Sequence, residues 1–414
     1  MNCATIVSRH TLAAILSLAA VEFASAGNWT RFRGPNGSGV VAEEIPAKWT
    51  AKNIKWKVGL PGSGHGSPVV WGDKIFLIAG NEETGERIPM CVSKSDGSIL
   101  WKHHFEAAKH RHHRYNTFAS STPAVDSGYA YFAWGTPQKL TVMAFTHAGK
   151  KVWDADQGKV KGGHGFGASP VIYKDLILLN DDQDGDSSLF ALNRKDGSVR
   201  WSVPRESKRL TYSTPCVYRN SRGEDEIIFT NWQHGITSVD PATGKVLWEN
   251  DVFGKPANER AIGSPVLAGD LVIGTCGFVT KLKHVVALRP VPGKREAEEV
   301  WRIERSVPHI PTPIVAKDWI YLWNDQGILT CANHQTGESL WSERLGGEGY
   351  SSAVCAGNRI FRVSRQGEVT AIPANGKFEV LGTYKLGESC FATPAIAGGQ
   401  MFIRTENHLF AIGK

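Results

Sequence analysis

A Ser/Thr-Pro-apolar-apolar step recurs along this chain, and it restricts the fold more than any other feature, because a fixed period announces a repeat architecture. It stands as Ser67-Pro68-Val69-Val70, Thr122-Pro123-Ala124-Val125, Ser169-Pro170-Val171-Ile172 and Thr214-Pro215-Cys216-Val217. It continues as Ser264-Pro265-Val266-Leu267, Thr312-Pro313-Ile314-Val315, Ser352-Ala353-Val354-Cys355 and Thr393-Pro394-Ala395-Ile396, eight copies spaced 55, 47, 45, 50, 48, 40 and 41 residues apart. After each step come further short apolar runs, such as Leu176-Ile177-Leu178-Leu179 and Leu189-Phe190-Ala191-Leu192. A Gly then precedes a Trp by four residues: Gly97 and Trp101, Gly149 and Trp153, Gly197 and Trp201, Gly244 and Trp248, Gly337 and Trp341. Short β-rich runs separated by turn residues are hairpin signals. Four of them per unit of this length describe a propeller blade, not a helical solenoid.

Three departures refine the count. The fifth unit carries an insertion, Pro290 to Glu299, ahead of Trp301, and the seventh has Gly376 but Val380 in the Trp slot. The eighth ends at Ala411-Ile412 without a fourth strand, whereas Ile54-Lys55-Trp56-Lys57 is a fourth strand with no blade of its own. Joining the two closes the ring and removes two open sheet edges. The expected fold is therefore all-β, one eight-bladed β-propeller of four-stranded antiparallel blades over residues 53–414, closed by the N-terminal strand around Trp56. Composition agrees: 44 Gly and 14 Trp against 4 Met is a turn-dense β composition.

Residues 1–26 read as a signal peptide: Arg9 and His10, an apolar run from Thr11 to Val21, then Ala24-Ser25-Ala26 at the cleavage positions. The run is shorter than the ~18 apolar residues of a membrane span, so the mature chain is expected to be periplasmic or secreted, with no membrane span. Residues 27–52 form an N-terminal strap ahead of the ring. A net charge of +7 is moderate for 414 residues and does not describe a nucleic-acid binder. A monomer is expected.

The motif Ala191-Leu-Asn193-Arg-Lys-Asp196-Gly197-Ser-Val-Arg-Trp201 recurs as Ser238-Val-Asp240-Pro-Ala-Thr243-Gly244-Lys-Val-Leu-Trp248 and Cys331-Ala-Asn333-His-Gln-Thr336-Gly337-Glu-Ser-Leu-Trp341. It resembles the tryptophan-docking motif of quinoprotein-like propellers, whose blades are called PQQ repeats. The opening Trp29-Thr-Arg-Phe32-Arg33-Gly34-Pro35 resembles that of secreted bacterial PQQ-like propeller proteins. More distantly, the chain is similar to the propeller lipoprotein of the outer-membrane β-barrel assembly machinery, a non-enzymatic scaffold. The resemblance implies an exported binding or scaffold module for a protein or an envelope polymer. It implies as an alternative a pyrroloquinoline-quinone-dependent oxidoreductase with calcium, its site at the channel mouth. Fold alone does not choose between them.

Seven tryptophans at one blade position, Trp56, Trp101, Trp153, Trp201, Trp248, Trp301 and Trp341, are expected to wedge between blades. Of the six cysteines past the leader, Cys91, Cys331, Cys216 and Cys355 fall in strand registers of different blades and read as small buried hydrophobes. Cys276 and Cys390 fall near loops, and no disulfide framework is expected.

In a four-stranded meander, the loop leading into the innermost strand and the loop between the second and third strands open on one face. The first set supplies His65, Tyr115, Asn116, His164, Tyr212, Arg260 and His309. The second supplies Asp182, Asn231, Gln233, Asn324, Asp325, Arg365, Glu406 and Asn407. Together they are the candidate ligand-binding ring at the channel mouth. The longest inner loop, Lys102 to Ser120, holds His103, His104, His110, His112 and His113 beside Arg111 and Arg114 and reads as a solvated basic flap able to meet an anion. Asp182, Asp184 and Asp186 alternate as calcium ligands would, although Asp184-Gly185 also reads as a hairpin turn. There is no Gly-x-Ser-x-Gly elbow, P-loop or zinc spacing, so no catalytic set is assigned.

Overall fold

The computed structural model describes residues 27–254, 260–277 and 283–414. The proposed leader and its cleavage site lie outside them. Eight sheets form a ring, and seven have four strands. Blade 1 comprises Val69–Trp71, Lys74–Gly80, Arg87–Ser93 and Ile99–Lys102, in hydrogen-bonded order from the axis outward. Blade 8 comprises Ala395–Ala397, Gln400–Arg404 and His408–Gly413, completed by Ile54–Gly59 running antiparallel to the last of these. The ring thus closes through the strand around Trp56, as the broken eighth repeat requires.

The repeat residues account for the closure between blades. In seven successive contacts the backbone N–H of one Ser or Thr in the step donates to the hydroxyl of its counterpart in the next blade. Ser67 reaches Thr122 at 2.9 Å and Thr122 reaches Ser169 at 3.0 Å. Thr214, Ser264, Thr312 and Ser352 reach Ser264, Thr312, Ser352 and Thr393 at 2.9, 3.1, 3.0 and 3.0 Å. Thr393 returns to Ser67 at 3.1 Å, closing a collar of hydroxyls around the axis. Pro in the following position lacks an N–H and so leaves no donor unpaired where the strand turns outward.

The tryptophans tie the outer part of each interface. Each faces the small residue of its own third strand, for example Trp101 opposite Cys91, Trp201 opposite Ala191 and Trp301 opposite Ala287. Indole N–H groups then donate into the next blade: Trp56 to Lys94 O at 3.0 Å, Trp101 to His147 O at 2.9 Å, Trp201 to Pro241 O at 2.9 Å. The glycine four residues before the next Trp lies against that ring. At Gly197, φ is +75° and a Cβ would sit 2.6 Å from the Trp153 ring, so both conformation and space demand glycine. The hydrophobic core is accordingly divided among the blade interfaces, as in the Tyr131–Trp153–Ile177–Phe190 cluster between blades 2 and 3.

Two interfaces depart from this pattern. In blade 5 the insertion folds back on blade 4, with Ala297 N donating to Asn250 Oδ1 at 2.7 Å. Trp248 then donates to buried Glu226 at 2.7 Å instead of to a carbonyl. In blade 7 the expectation for Val380 is corrected. Gly382, not Val380, pairs with Ala371, and Val380 stays 43% exposed. A Cβ on Gly382 would meet Ala47 O of the strap at 2.4 Å. Trp49 of the strap stacks on Phe361 with ring centres 6.0 Å apart, a spacing close to the 6.0 Å of the tilted pair Trp56–Phe402 and the 6.2 Å of the tilted pair Trp101–Phe76. The strap therefore supplies the tryptophan that blade 7 lacks.

The strap also crosses the face opposite the channel mouth. Trp29 bridges Val70 of blade 1, Asn36 makes two 2.8 Å bonds with Val217 of blade 4, and Val40–Val41 adds a parallel strand to blade 7. Gly34 has φ +62° with the Trp29 ring 2.6 Å from a Cβ position, which explains the Gly in the opening motif. All six cysteines described are buried, Cys276 and Cys390 included. Burial holds the thiols of Cys91, Cys216, Cys331, Cys355 and Cys390 up at about 12, so they pack as small apolar groups.

Candidate functional site

The channel mouth opens into a cup of about 530 Å³. Its collar is the eight hydroxyls Ser67, Thr122, Ser169, Thr214, Ser264, Thr312, Ser352 and Thr393. Residues two apart in an extended chain share a face, and the positions two before the hydroxyls form a second ring. These are His65, Ser120, Gly167, Tyr212, Ile262, Ile310, Tyr350 and Phe391, and all eight line the cup. Phe32 of the strap lines it as well. Flanking Phe32 are Arg31 and Arg33, both buried. Arg31 donates to Pro215 O, and Arg33 donates to Thr312 O at 2.8 Å and Ser38 O at 2.9 Å.

All seven inner-loop candidates, His65, Tyr115, Asn116, His164, Tyr212, Arg260 and His309, line this cup. The residues between second and third strands are not among its lining, and their hydrogen bonds show why. Asn231 is fully buried, accepts from Gln233 N at 2.6 Å and His234 N at 3.1 Å, and donates to Ser207. Asn324 accepts from Gln326 N at 3.0 Å and Ile328 N at 2.9 Å. Asp325 accepts from His309 N at 2.8 Å and Ile310 N at 3.1 Å, holding an inner loop in place. Glu406 and Asn407 are exposed, with Asn407 N donating to Glu388 at 2.9 Å. Arg365 reaches the site indirectly, donating to the Tyr115 hydroxyl at 3.0 Å. Side-chain amides and carboxylates at these strand ends shape the turns instead of facing the cup.

The acidic cluster does not converge either. Asp182 is buried in a two-pronged ion pair with Arg205, whereas Asp186 is 96% exposed and 3.8 Å from Lys161. The hairpin turn falls at Asp182-Gln183, between strands Leu176–Asp181 and Asp184–Asn193, so Asp184-Gly185 lies in a strand and not in the turn. Among the described residues, no group of three His, Cys, Asp or Glu is placed to hold a metal ion.

The expectation of a solvated flap from Lys102 to Ser120 is corrected in part. His103 stacks on Phe145 at 5.2 Å and bonds Gly149 O at 2.6 Å; His112 bonds Glu82 at 2.9 Å. His113 lies parallel to His164 at 5.1 Å, and Asn116 donates to His164 O at 2.6 Å. The segment is therefore pinned across the mouth, bringing His113, Arg114, Tyr115 and Asn116 into the wall.

Two walls differ in character. On one side His65 stacks on Phe391 at 4.2 Å, Tyr350 on Phe391 at 5.9 Å, and Tyr115 meets Tyr350 at 5.5 Å. On the other, Arg260 Nη2 lies 3.2 and 3.3 Å from the His164 ring nitrogens. Burial pushes His65 down to about 3 and His164 and His309 to about 4, with Arg404 adding to the effect at His65 and Arg260 at His164. At neutral pH these imidazoles are uncharged, and among the described residues the fully cationic groups lining the cup are the guanidiniums of Arg260 and Arg114. Tyr350, Phe391 and Phe32 were not singled out from the sequence. Tyr350 and Phe391 are found by counting two residues back from each Ser/Thr of the step.

Comparison with known proteins places this geometry in a family. A family model described as outer membrane protein assembly factor BamB matches residues 84–343 and 326–412. The outer membrane protein assembly factor BamB of Shewanella oneidensis is 22% identical over 302 residues, covering 67% of this chain and 70% of that protein. Among solved structures, BamB from Moraxella catarrhalis superposes with a TM-score of 0.64 at 14% identity, over 86% of this chain and 96% of that one. A europium-containing methanol dehydrogenase gives 0.69 at 11% identity, over 94% and 98%. Quinohemoprotein alcohol dehydrogenase from Comamonas testosteroni gives 0.67 at 13%, over 94% and 80%. At these identities the structural likenesses show a shared fold. No described helix is long and apolar enough to cross a membrane. The eight-bladed ring and the match over most of its length together show that the chain belongs to the PQQ-repeat β-propeller family described as outer membrane protein assembly factor BamB.

Proposed function

We propose that this chain is an exported binding module of the cell envelope, periplasmic or secreted, that holds a protein partner at its channel-mouth face. The family match and the Shewanella oneidensis relative named as outer membrane protein assembly factor BamB support a scaffold role. The observation that carries the choice over an oxidoreductase is the chemistry of the cup lining. Among the described residues it consists of hydroxyls, imidazoles, aromatic rings, two guanidiniums, the Asn116 amide and the apolar Ile262 and Ile310, and no carboxylate lines it. Calcium takes six to eight oxygen ligands, with carboxylates prominent among them, and abstraction of a substrate proton needs a base within hydrogen-bond reach. The described lining fits the anionic charge of pyrroloquinoline quinone at Arg260 but does not fit its calcium partner.

The test is site-specific photocrosslinking in the producing cell. A crosslinking side chain at Arg114 on the rim should capture a discrete protein partner, while one at Lys174, away from the mouth, should not. Equal capture at both positions contradicts the mouth as the binding face. Reproducible dye reduction by the purified protein with quinone and calcium would overturn the reading altogether.

A further inference from the structure

The arm that leaves blade 1 and enters blade 2, residues 102–120, is fastened by two groups of imidazoles whose hydrogen bonds demand opposite protonation. At its base, His104 Nδ1 lies 2.9 Å from Glu86 Oε1, and His103 Nε2 lies 2.6 Å from Gly149 O. His112 Nε2 lies 2.9 Å from Glu82 Oε2 and its Nδ1 lies 3.0 Å from His113 O, so both of its nitrogens face oxygen acceptors. A ring nitrogen serves an acceptor only while it carries a proton, so these contacts gain when the ring is charged. His110 bonds within the arm, to Ala108 O at 3.0 Å.

At the tip, residues 113–116, the sense is reversed. Tyr115 N–H donates to His113 Nδ1 at 3.3 Å. Arg260 Nη2, which can only donate, lies 3.2 and 3.3 Å from the two nitrogens of His164. A protonated nitrogen cannot accept, so these contacts need neutral rings. The two imidazoles also stack on each other, 5.1 Å apart and 9° from parallel. With His113 N–H donating to His164 O at 3.3 Å and Asn116 Nδ2 to the same oxygen at 2.6 Å, the stack fastens the tip to the loop between blades 2 and 3.

The neighbouring elements meet this pair with cations: Arg111, His112 and Arg114 on the arm, Arg209 on the loop leaving blade 3, and Arg260 leading into blade 5. Glu82 is engaged by His112, Ser63 and Phe118 N, and Asp184 acts on Arg260. Burial, then Arg260 and the other cations, hold His164 down at about 4; burial and the same kind of neighbours push His113 below its ordinary 6.5.

We propose that the tip of this arm is an acid-released clasp: protonation of the stacked His113–His164 pair frees residues 113–116 from blade 3, while the imidazoles paired with Glu82 and Glu86 keep the base of the arm in place. Release carries Tyr115 and Asn116 off the wall of the cup and uncovers the mouth. The freed rings bind protons more readily than the clasped ones, so closure is favoured at neutral pH and lost as pH falls. A ring held at about 4 when clasped and returning to 6.5 when free shifts the balance toward release about 10- to 100-fold at about pH 4.5. The clasp is a property of the arm and does not depend on what the mouth binds.

The experiment is hydrogen–deuterium exchange of the purified protein at about pH 7.5 and about pH 4.5, corrected for intrinsic rates. The peptide over residues 110–118 should lose about tenfold or more of its protection at the lower pH, while inner-strand peptides that carry the collar keep theirs. His164→Phe keeps a flat ring without its charge and should cut the pH effect to about threefold or less. His113→Phe, at an exposed position that leaves the fold intact, should reduce it as well. In the unaltered protein, about 1 M salt shortens the screening length to about 3 Å and should restore part of the tip's protection at the lower pH. Equal tip protection at both pH values overturns the proposal, and so does an equal loss in the inner strands, which is general acid unfolding. A full pH response in folded His164→Phe or His113→Phe, or no recovery in salt, overturns it too.

Discussion

Two rings of side chains lie on the same inner strands, two residues apart, and they behave in opposite ways. The collar from Ser67 round to Thr393 is nearly uniform: eight hydroxyls, seven of them seen accepting from the blade before. The ring just outside it, from His65 to Phe391, is different in almost every blade. A hydrogen bond between neighbouring blades is the same problem eight times over, so one residue class solves it. A concave surface that discriminates among ligands cannot be eightfold symmetric, so the adjacent position diversifies. Uniformity along this repeat therefore marks stability, and variation marks the candidate site.

The comparison can be broken in four places. The largest loss should come from the uniform elements. Trp201→Ala removes a 7%-exposed indole and its bond to Pro241 O, and should cost about 3–5 kcal/mol in denaturant unfolding with partner capture at Arg114 retained. An unchanged unfolding midpoint would remove the tryptophans from the stability argument. Thr122→Val deletes the acceptor for buried Ser67 N while keeping shape, for about 1–3 kcal/mol. If that variant weakened partner capture more than it lowered stability, the collar would belong to the site.

The third effect is conditional on pH. Burial holds the His65 imidazole at about 3, below its ordinary 6.5, with Arg404 and His112 contributing and the Tyr115 backbone opposing. Between those values the unfolded chain binds the extra proton, so His65 lowers stability progressively as pH falls from 6.5, and contributes nothing above it. His65→Phe keeps the ring against Phe391, and should recover on the order of 1–2 kcal/mol at about pH 5 with no gain at about pH 8. A constant offset at both pH values would show that packing, not protonation, dominates there. The smallest effect is expected at Tyr350→Phe, within about 0.5 kcal/mol on unfolding. A larger loss would make the variable ring structural too.

The blade count, the closing strand and the tryptophan wedges were legible because each residue repeats with its own local reason: a proline without a donor, a small residue opposite an indole, a glycine under the next ring. The inner-loop half of the candidate site was legible for the same reason, since strand alternation projects His65, Tyr212 and Arg260 onto one mouth. The outer-loop half was not. Polar residues at strand ends such as Asn231, Asn324 and Asp325 look like ligands in a sequence, yet the nearest unpaired backbone N–H groups claim them first. The flap histidines were misjudged likewise, because solvation could not be told from stacking on Phe145 or bonding to Glu82.

By itself, then, the sequence determined the ring: its period carries the hydrogen-bonding and packing rules that neighbouring blades must satisfy, and those rules are local. Only the tertiary structure decided what the ring encloses. The strap has no repeat to announce it, and its placement across the far face sets Arg31, Phe32 and Arg33 at the base of the cup. It also seats Trp49 in the gap of blade 7. The asymmetry of the cup, cationic at Arg260 and aromatic at Tyr115, arises from residues far apart in the chain that meet only because the ring closes.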